Sequence, residues 1–393
     1  MGKKIARFLA FDNGREDWRK KEEETYNTGL ISKKIADIRK GKPNQLIEID
    51  AELVLKTQER VENWVKFGSA GLDSSYISLI AKKKEVNDLQ EVKDYRKKMH
   101  EAKGERQKNW IEHLMDKVIL FFEEGLEKYN NYRGDDIFVL MLPEFFWTDI
   151  VDNRKFYEIA GRYREIAGYV SPLYENEYEM LLASNNKIVE WMKKQNKNIL
   201  FFAGTAMHKE FNQDPMQEKI YNTLLIYSVQ KGREVQIGTW NKVNYSPIDG
   251  FSINGYVVRE KIPYVGRDVI GVGEKALRMP VINYDELVFS FDICLDYVLP
   301  DGYSVSNWML SNQKADFNIL IAGGMPIMSG NISNKSAIHT IRCDKVSYDG
   351  ETCCSVRIEN WHDAMKDIRD TSIRYADFEV VIENNRRTIT KLS

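Results

Sequence analysis

The sequence predicts an α/β protein built from layered, mixed sheets. Three observations carry this expectation. Residues 137–142 and 199–203 are continuous apolar runs of strand length, the form a strand takes when both of its faces are covered. Stretches with helical apolar spacing alternate with such runs, the order that layered sheets and helices demand. Gln230-Lys-Gly-Arg233 separates two β-rich segments and signals a hairpin, so at least one pairing is antiparallel.

Taken in order, residues 5–11 read as the first strand. From about residue 15 to 108 the chain is rich in charge, poor in long apolar runs and helical in tone, with Gly68-Ser-Ala-Gly71 as a loop. This reads as a mostly helical, partly exposed insertion within one domain spanning 1–393, either a surface elaboration or an oligomer contact. Lys82-Lys83-Lys84 lies near glutamates and reads as a solvated helix face. Trp110, Ile111, Leu114, Met115, Val118, Ile119 and Phe122 then form one apolar helical stripe, and Asn130 to Asp136 break that helix.

After the strand at 137–142, a second helical stretch covers about 154–197, interrupted near Pro172. The strand at 199–203 is expected to stop at Gly204. The hairpin strands are 221–229 and 234–240, and further strands are expected at 286–293, 317–322, 353–358 and 378–382. No internal repeat or low-complexity segment is evident.

Composition excludes several classes of partner. The hydrophobic fraction of 43% is ample for a core, and the net charge of −2 shows no basic surplus, which speaks against nucleic acid. No apolar run reaches the ~18 residues of a membrane span. The opening Met1 to Asp12 is interrupted by Arg7 and lacks a small-residue cleavage site, so it reads as a strand and not as a signal peptide. The four cysteines, Cys294, Cys343, Cys353 and Cys354, form no Cys-x-x-Cys unit, and the five histidines show no ligand spacing. No metal site is expected, and free thiols fit a reducing cytoplasm. Cys353 and Cys354, adjacent in a strand, should point to opposite faces.

Three polar residues sit where buried strands end: Glu144 after 138–143, Lys242 after Trp240-Asn241, and Cys294 after 287–293. Strand ends are where open sheets place their chemistry, because side chains there leave the core but stay anchored to it. Taken singly, each has a plainer role: a small core thiol, a helix-terminal carboxylate, a surface lysine.

The wording around all three goes further. Leu142-Pro-Glu-Phe-Phe146 resembles the Pro-Glu motif that closes the second strand of nitrilase-superfamily carbon–nitrogen hydrolases. Tyr221-Asn-Thr, then Gly232 and Trp240-Asn-Lys-Val-Asn244, is similar to their hairpin leading to the lysine. Asp292-Ile-Cys-Leu-Asp-Tyr-Val-Leu-Pro-Asp301 is similar to their nucleophile segment, and Ala315 to Gly323 to the strand that follows it. The order Glu, Lys, Cys is the family's. The match runs from about 137 to 326; the insertion before 108, a segment near 174–195 and everything beyond about 328 depart from it.

The resemblance implies a four-layer α-β-β-α sandwich of two mixed sheets, a Glu144–Lys242–Cys294 triad, and self-association as a homodimer or larger homo-oligomer. It also implies no cofactor and a small amide or nitrile substrate. The backbone N–H of Leu295 joins Lys242 as an expected oxyanion donor. Phe145, Phe146, Trp147 and Tyr297 are placed to wall the pocket. Pro247-Ile-Asp-Gly250 resembles a segment of aliphatic amidases that carries a second acid, so Asp249 is a candidate for that role, with a plain Asp-Gly turn as the alternative. Two other readings use the same residues: a catalytically silent nitrilase-like binding scaffold, and an acyl or amide transferase.

Overall fold

The computed structural model describes residues 2–12, 30–67, 74–129, 132–147, 149–151, 169–171, 175–210, 219–242, 275–276, 280–297, 315–323, 325, 327, 337–344, 353–358, 361–368, 373–384 and 386–392. The first strand, β1 (Gly2–Phe11), alternates its side chains between two cores. Four helices follow: α1 (Leu30–Lys40), α2 (Asn44–Phe67), α3 (Ser74–Asp88) and α4 (Gln90–Glu127). Between residues 15 and 108, the described structure is thus helical. The helix that carries the apolar stripe begins at Gln90, twenty residues before Trp110, so one continuous helix joins this region to the main core.

The α1–α4 region has its own small core of Leu46, Ile49, Leu53, Tyr76, Ile80 and Val92. Lys83 is not solvated as its neighbours Lys82 and Lys84 are. It is 1% exposed and paired with Asp50 at 2.9 Å, and Asp50 also meets Lys42 at 2.8 Å. Burial holds the Lys83 amine below the usual lysine range, with Asp50 opposing that shift.

The larger sheet takes the order β15-β16-β1-β2-β5-β6-β7-β8, with β17 beside β16. Its strands are β2 (Ile137–Met141), β5 (Asn198–Glu210), β6 (Lys219–Gln230), β7 (Arg233–Asn241), β8 (Lys275–Ala276), β15 (Lys366–Asp367), β16 (Ile373–Glu383) and β17 (Arg386–Lys391). β1, β2 and β5 run parallel, while the β5–β6 and β6–β7 pairings are antiparallel, so the sheet is mixed as expected. Lys231 and Gly232, both at positive φ, make the β6–β7 turn that the sequence signalled. A small two-stranded sheet pairs β3 (Asp149–Val151) with β4 (Tyr169–Ser171), and β4 lies at the interruption expected near Pro172. Helix α5 (Glu175–Lys194) then follows.

The second sheet has the order β14-β13-β12-β11-β10-β9. Its strands are β9 (Val281–Tyr284), β10 (Leu287–Ile293), β11 (Ala315–Ala322), β12 (Ala337–Asp344), β13 (Cys354–Ile358) and β14 (Trp361–Ala364). The two sheets pack face to face through one buried apolar cluster that includes Phe8, Val139, Leu200, Phe289, Ile319 and Ile341. Phe8 meets Phe317 with ring centroids 4.8 Å apart, and Phe202 meets Phe291 at 5.8 Å. Cys343, Cys353 and Cys354 all lie in this core. Cys353 precedes its strand, so alternation does not send it to the opposite face.

The other face of the large sheet is covered by α4 and α5. Trp110, Ile111, Leu114, Met115, Val118 and Phe122 are buried there with Leu181, Ile188 and Met192 against Leu9, Phe138, Leu140 and Phe201. The expected helical stripe is therefore the contact face, with Ile119 at its margin. The outer face of the second sheet is different in kind: Ser290, Asp292, Asn318, Thr340 and Arg342 alternate with the inward apolar residues and are buried. Among the described residues no helix lies on that face. The fold is thus α/β with two mixed sheets, and among the described residues helices cover one outer face, that of the larger sheet.

Candidate active site

The site starts from a turn that carries the chain from one sheet toward the other. β2 ends at Met141, and the backbone of Leu142 still donates to Phe202 O of β5 at 2.9 Å. Two residues later the Glu144 N–H donates to Ala322 O, at the end of β11 in the second sheet, at 3.2 Å. Phe145 then takes φ 58°, and its N–H is held by Thr205 Oγ1 at 2.8 Å. A residue other than glycine rarely adopts that backbone, and the fixed hydrogen bond offsets its cost of about 1 kcal/mol or more.

Gly204 makes this turn possible. β5 does not stop there; it bulges, with the register shifting between Phe202 and Thr205, and runs on to Glu210. Gly204 has φ 70°, and a Cβ on it would stand 2.5 Å from Pro143 O, so only glycine lets the Pro143-Glu144 backbone pass. Gly323 serves the opposite wall. A Cβ there would lie 3.1 Å from Glu144 Oε2 and 3.2 Å from the Phe145 ring.

Glu144 and Lys242 meet inside this frame. Lys242 Nζ donates to Glu144 Oε1 at 3.0 Å, and Asn222 Nδ2 donates to the same oxygen at 2.8 Å. Glu144, Lys242 and Asn222 are all buried. The Lys242 N–H in turn donates to Asn222 O at 2.8 Å, which extends the β6–β7 pairing one residue past Asn241. The Phe145 ring centroid lies 6.0 Å from the ammonium.

Cys294 follows the last residue of β10 and opens a 3₁₀ turn, Cys294–Tyr297, with φ 46° at the cysteine itself. β10 and β11 are parallel with Ile293 opposite Ile321, so Cys294 comes off the sheet beside Ala322. It packs against the cluster of Tyr297, Leu320, Ala322 and Ile327. Ala322 is therefore a shared neighbour: its carbonyl holds the Glu144 backbone, and its side chain belongs to the cluster that Cys294 touches. Cys294 is half-buried, whereas Cys343, Cys353 and Cys354 are buried. Burial, with Cys343 alongside, pushes the Cys354 thiol well above the ordinary range.

Of the residues expected to wall the pocket, Phe145 lies beside the ion pair and Tyr297 beside Cys294. Phe146 and Trp147 do not join them. Both belong to the core between the large sheet and its helices, where Phe146 packs on Phe11 and the Trp147 indole donates to Ala203 O at 2.6 Å. The positive φ at Phe145 is the cause, since it turns the chain away from the pair after one residue. Leu295 lies in the 3₁₀ turn. Asp249 lies outside the described residues.

Asn222 belongs to the Tyr221-Asn-Thr segment of the hairpin, but nothing local marks it as a site residue. The signal is its register: it stands on β6 opposite Lys242, one residue before the Thr223–Asn241 pair. On the other face of the same strands, Thr223 donates to Asn241 Oδ1 at 2.5 Å and so accepts from His208 Nε2 at 2.8 Å. His208 stacks on Tyr221, and burial holds it down to about 3, so it is neutral. Among the described residues, no group of three or more His, Cys, Asp or Glu side chains is placed to hold a metal ion. No helix among them is long and apolar enough to cross a membrane.

No protein-family model matches the sequence, and no curated protein matches it. Among solved structures the chain is similar to the glutamine-dependent NAD(+) synthetase from Cytophaga hutchinsonii, at 10% identity and a TM-score of 0.32. The likeness covers 70% of this chain and 38% of that one, so the chain spans well under half the length of this neighbour. A likeness that weak bears on neither the fold nor the chemistry.

Proposed function

We propose that the chain is a thiol-dependent hydrolase of non-peptide carbon–nitrogen bonds, acting on a small amide or nitrile with Glu144, Lys242 and Cys294 as its triad. One observation supports this above the others: a carboxylate and an ammonium are buried together at 3.0 Å, and the Glu144 backbone is held by the carbonyl of Ala322, at the strand end that flanks a half-buried cysteine at φ 46°. A buried charge pair is costly to desolvate and is weak evidence for stability alone. Its position beside the most accessible described thiol gives it a chemical use.

The steps follow from the residue types. A free thiol titrates near about 8.5, so it needs help to attack at neutral pH. Glu144 takes the proton from Cys294, and the Lys242 ammonium favours the resulting thiolate. For an amide, the thiolate adds to the carbonyl carbon and the carbonyl electrons move to oxygen. Lys242 and the Leu295 N–H donate to that oxyanion, each such donor typically worth about 3–4 kcal/mol in the transition state. The oxyanion collapses and the C–N bond breaks. The proton on Glu144 goes to the departing nitrogen, which leaves as ammonia or an amine. Water, deprotonated by Glu144, then adds to the thioester. The acid departs, and the thiolate regains its proton.

The same reading carries further assignments. It makes the fold a four-layer α-β-β-α sandwich and a single domain across 1–393, with the helical segment at about 15–108 as an insertion. Asp249 is assigned as a second acid near Lys242. The chain self-associates, and it works in the cytoplasm without a metal or organic cofactor. The deciding experiment is ammonia release from a panel of small primary amides, nitriles and N-carbamoyl compounds. The wild type releases ammonia from at least one class and Cys294→Ala from none; a wild type inert on the whole panel, or a fully active Cys294→Ala, overturns the reading.

A further inference from the structure

We infer that Asn222 is a positioning residue for this site, fixing Glu144 and Lys242 at once and holding the carboxyl in its charged form; this rests on the hydrolase reading above. Asn222 makes two separate bonds. Its side-chain amide donates to Glu144 Oε1 at 2.8 Å, and its backbone carbonyl accepts from the Lys242 N–H at 2.8 Å. An ionised carboxylate only accepts, so the amide face turned to it must be the N–H₂ face. One buried residue of β6 thus ties the turn after β2 to the end of β7, two segments otherwise far apart in the chain.

The chemical consequence lies in which oxygen each donor takes. Asn222 and Lys242 both address Oε1, while Oε2 is turned toward Gly323 and the end of β11 that flanks Cys294. Oε2 is therefore the oxygen on the side where the thiol's proton must be exchanged. A neutral amide donor favours the charged carboxyl without adding a charge that would compete with Lys242. An apolar side chain would lose that effect, and a carboxyl in the same place would reverse it once ionised.

Asn222→Asp tests this, because a carboxyl of nearly the same shape still donates when protonated and repels both Glu144 and the thiolate when ionised. The readout is the rate of Cys294 alkylation by iodoacetamide, followed by peptide mapping as the ratio of variant to wild type across pH, with thermal melting to confirm folding. The expected ratio is near unity at about pH 5.5 and falls toward about one tenth by about pH 7.5, the largest effect of a one-unit shift in the thiol. Asn222→Leu, which cannot ionise, gives a ratio that is flat with pH. A flat ratio for Asn222→Asp overturns the inference, and so does unfolding of both variants, which would assign Asn222 to the fold alone. These outcomes are separate from failure of the hydrolase reading, which would appear as an inert Cys294 in the wild type itself.

Discussion

Glu144 and Lys242, 98 positions apart in the chain, meet at 3.0 Å with at most 1% of either side chain exposed. The desolvation of such a pair consumes much of its mutual attraction, so the pair is poorly explained as a device for stability. Removing one partner leaves the other charge buried and uncompensated. Lys242→Met should therefore destabilise the fold by about 3–5 kcal/mol. The double variant Glu144→Gln with Lys242→Met should recover most of that loss, and both should be inactive. Urea unfolding of the four proteins measures this cycle. A double variant as unstable as the single one would mean that the charges serve the fold.

The approach of Gly323 to Glu144 gives a second prediction. A methyl group there would stand 3.1 Å from Oε2 and 3.2 Å from the Phe145 ring, so the carboxyl or the ring must shift by a few tenths of an ångström. Gly323→Ala should lower turnover by roughly tenfold, because misplacement of a reacting group by a fraction of an ångström costs rate before it costs binding. Stability should change by less than about 1 kcal/mol. Steady-state kinetics with thermal melting separates these effects. Unchanged turnover would show that Oε2 does not need its present position.

The sequence made the buried strands legible for a simple physical reason. β2, β10 and β11 are covered on both faces, so they appear as unbroken apolar runs that few other environments allow. The contact stripe of α4 was legible through its helical spacing. β12 was not, since Thr340, Arg342 and Asp344 face a polar outer layer and break the apolar run at every second residue. Gly204 read as a stop because a bulge and a strand end call for the same residue. Glu144 and Lys242 could be picked out as strand-end residues. Phe146 and Trp147 were misplaced because adjacency in sequence does not say which way the chain turns, and the positive φ at Phe145 is invisible in the letters. Asn222 was missed because its role is fixed by register between strands.

His208 should make the protein sensitive to acid. In an unfolded chain it titrates near about 6.5; in the fold, burial holds it down to about 3. Between these values the unfolded state binds the extra proton, so this contribution is fully present above about pH 6.5 and is lost as the pH falls toward 3. The loss at about pH 5 should be on the order of 2 kcal/mol relative to about pH 8. His208→Gln, which can still bond to Thr223 Oγ1, should flatten that part of the stability curve. Chemical unfolding at a series of pH values measures it, and an unaltered slope in the variant would place the acid sensitivity elsewhere.

The identity of the nucleophile is the centre of the account, and the four thiols allow it to be measured without knowing the substrate. Cys294 is half-buried at the end of β10, while Cys343, Cys353 and Cys354 lie buried between the sheets, where burial pushes Cys354 well above the ordinary thiol range. Thiolate, not thiol, is what an alkylating agent captures. Brief treatment of the folded protein with iodoacetamide, followed by peptide mapping, should label Cys294 first while the other three stay unlabelled. Labelling of Cys343, Cys353 or Cys354 ahead of an inert Cys294 would contradict the account.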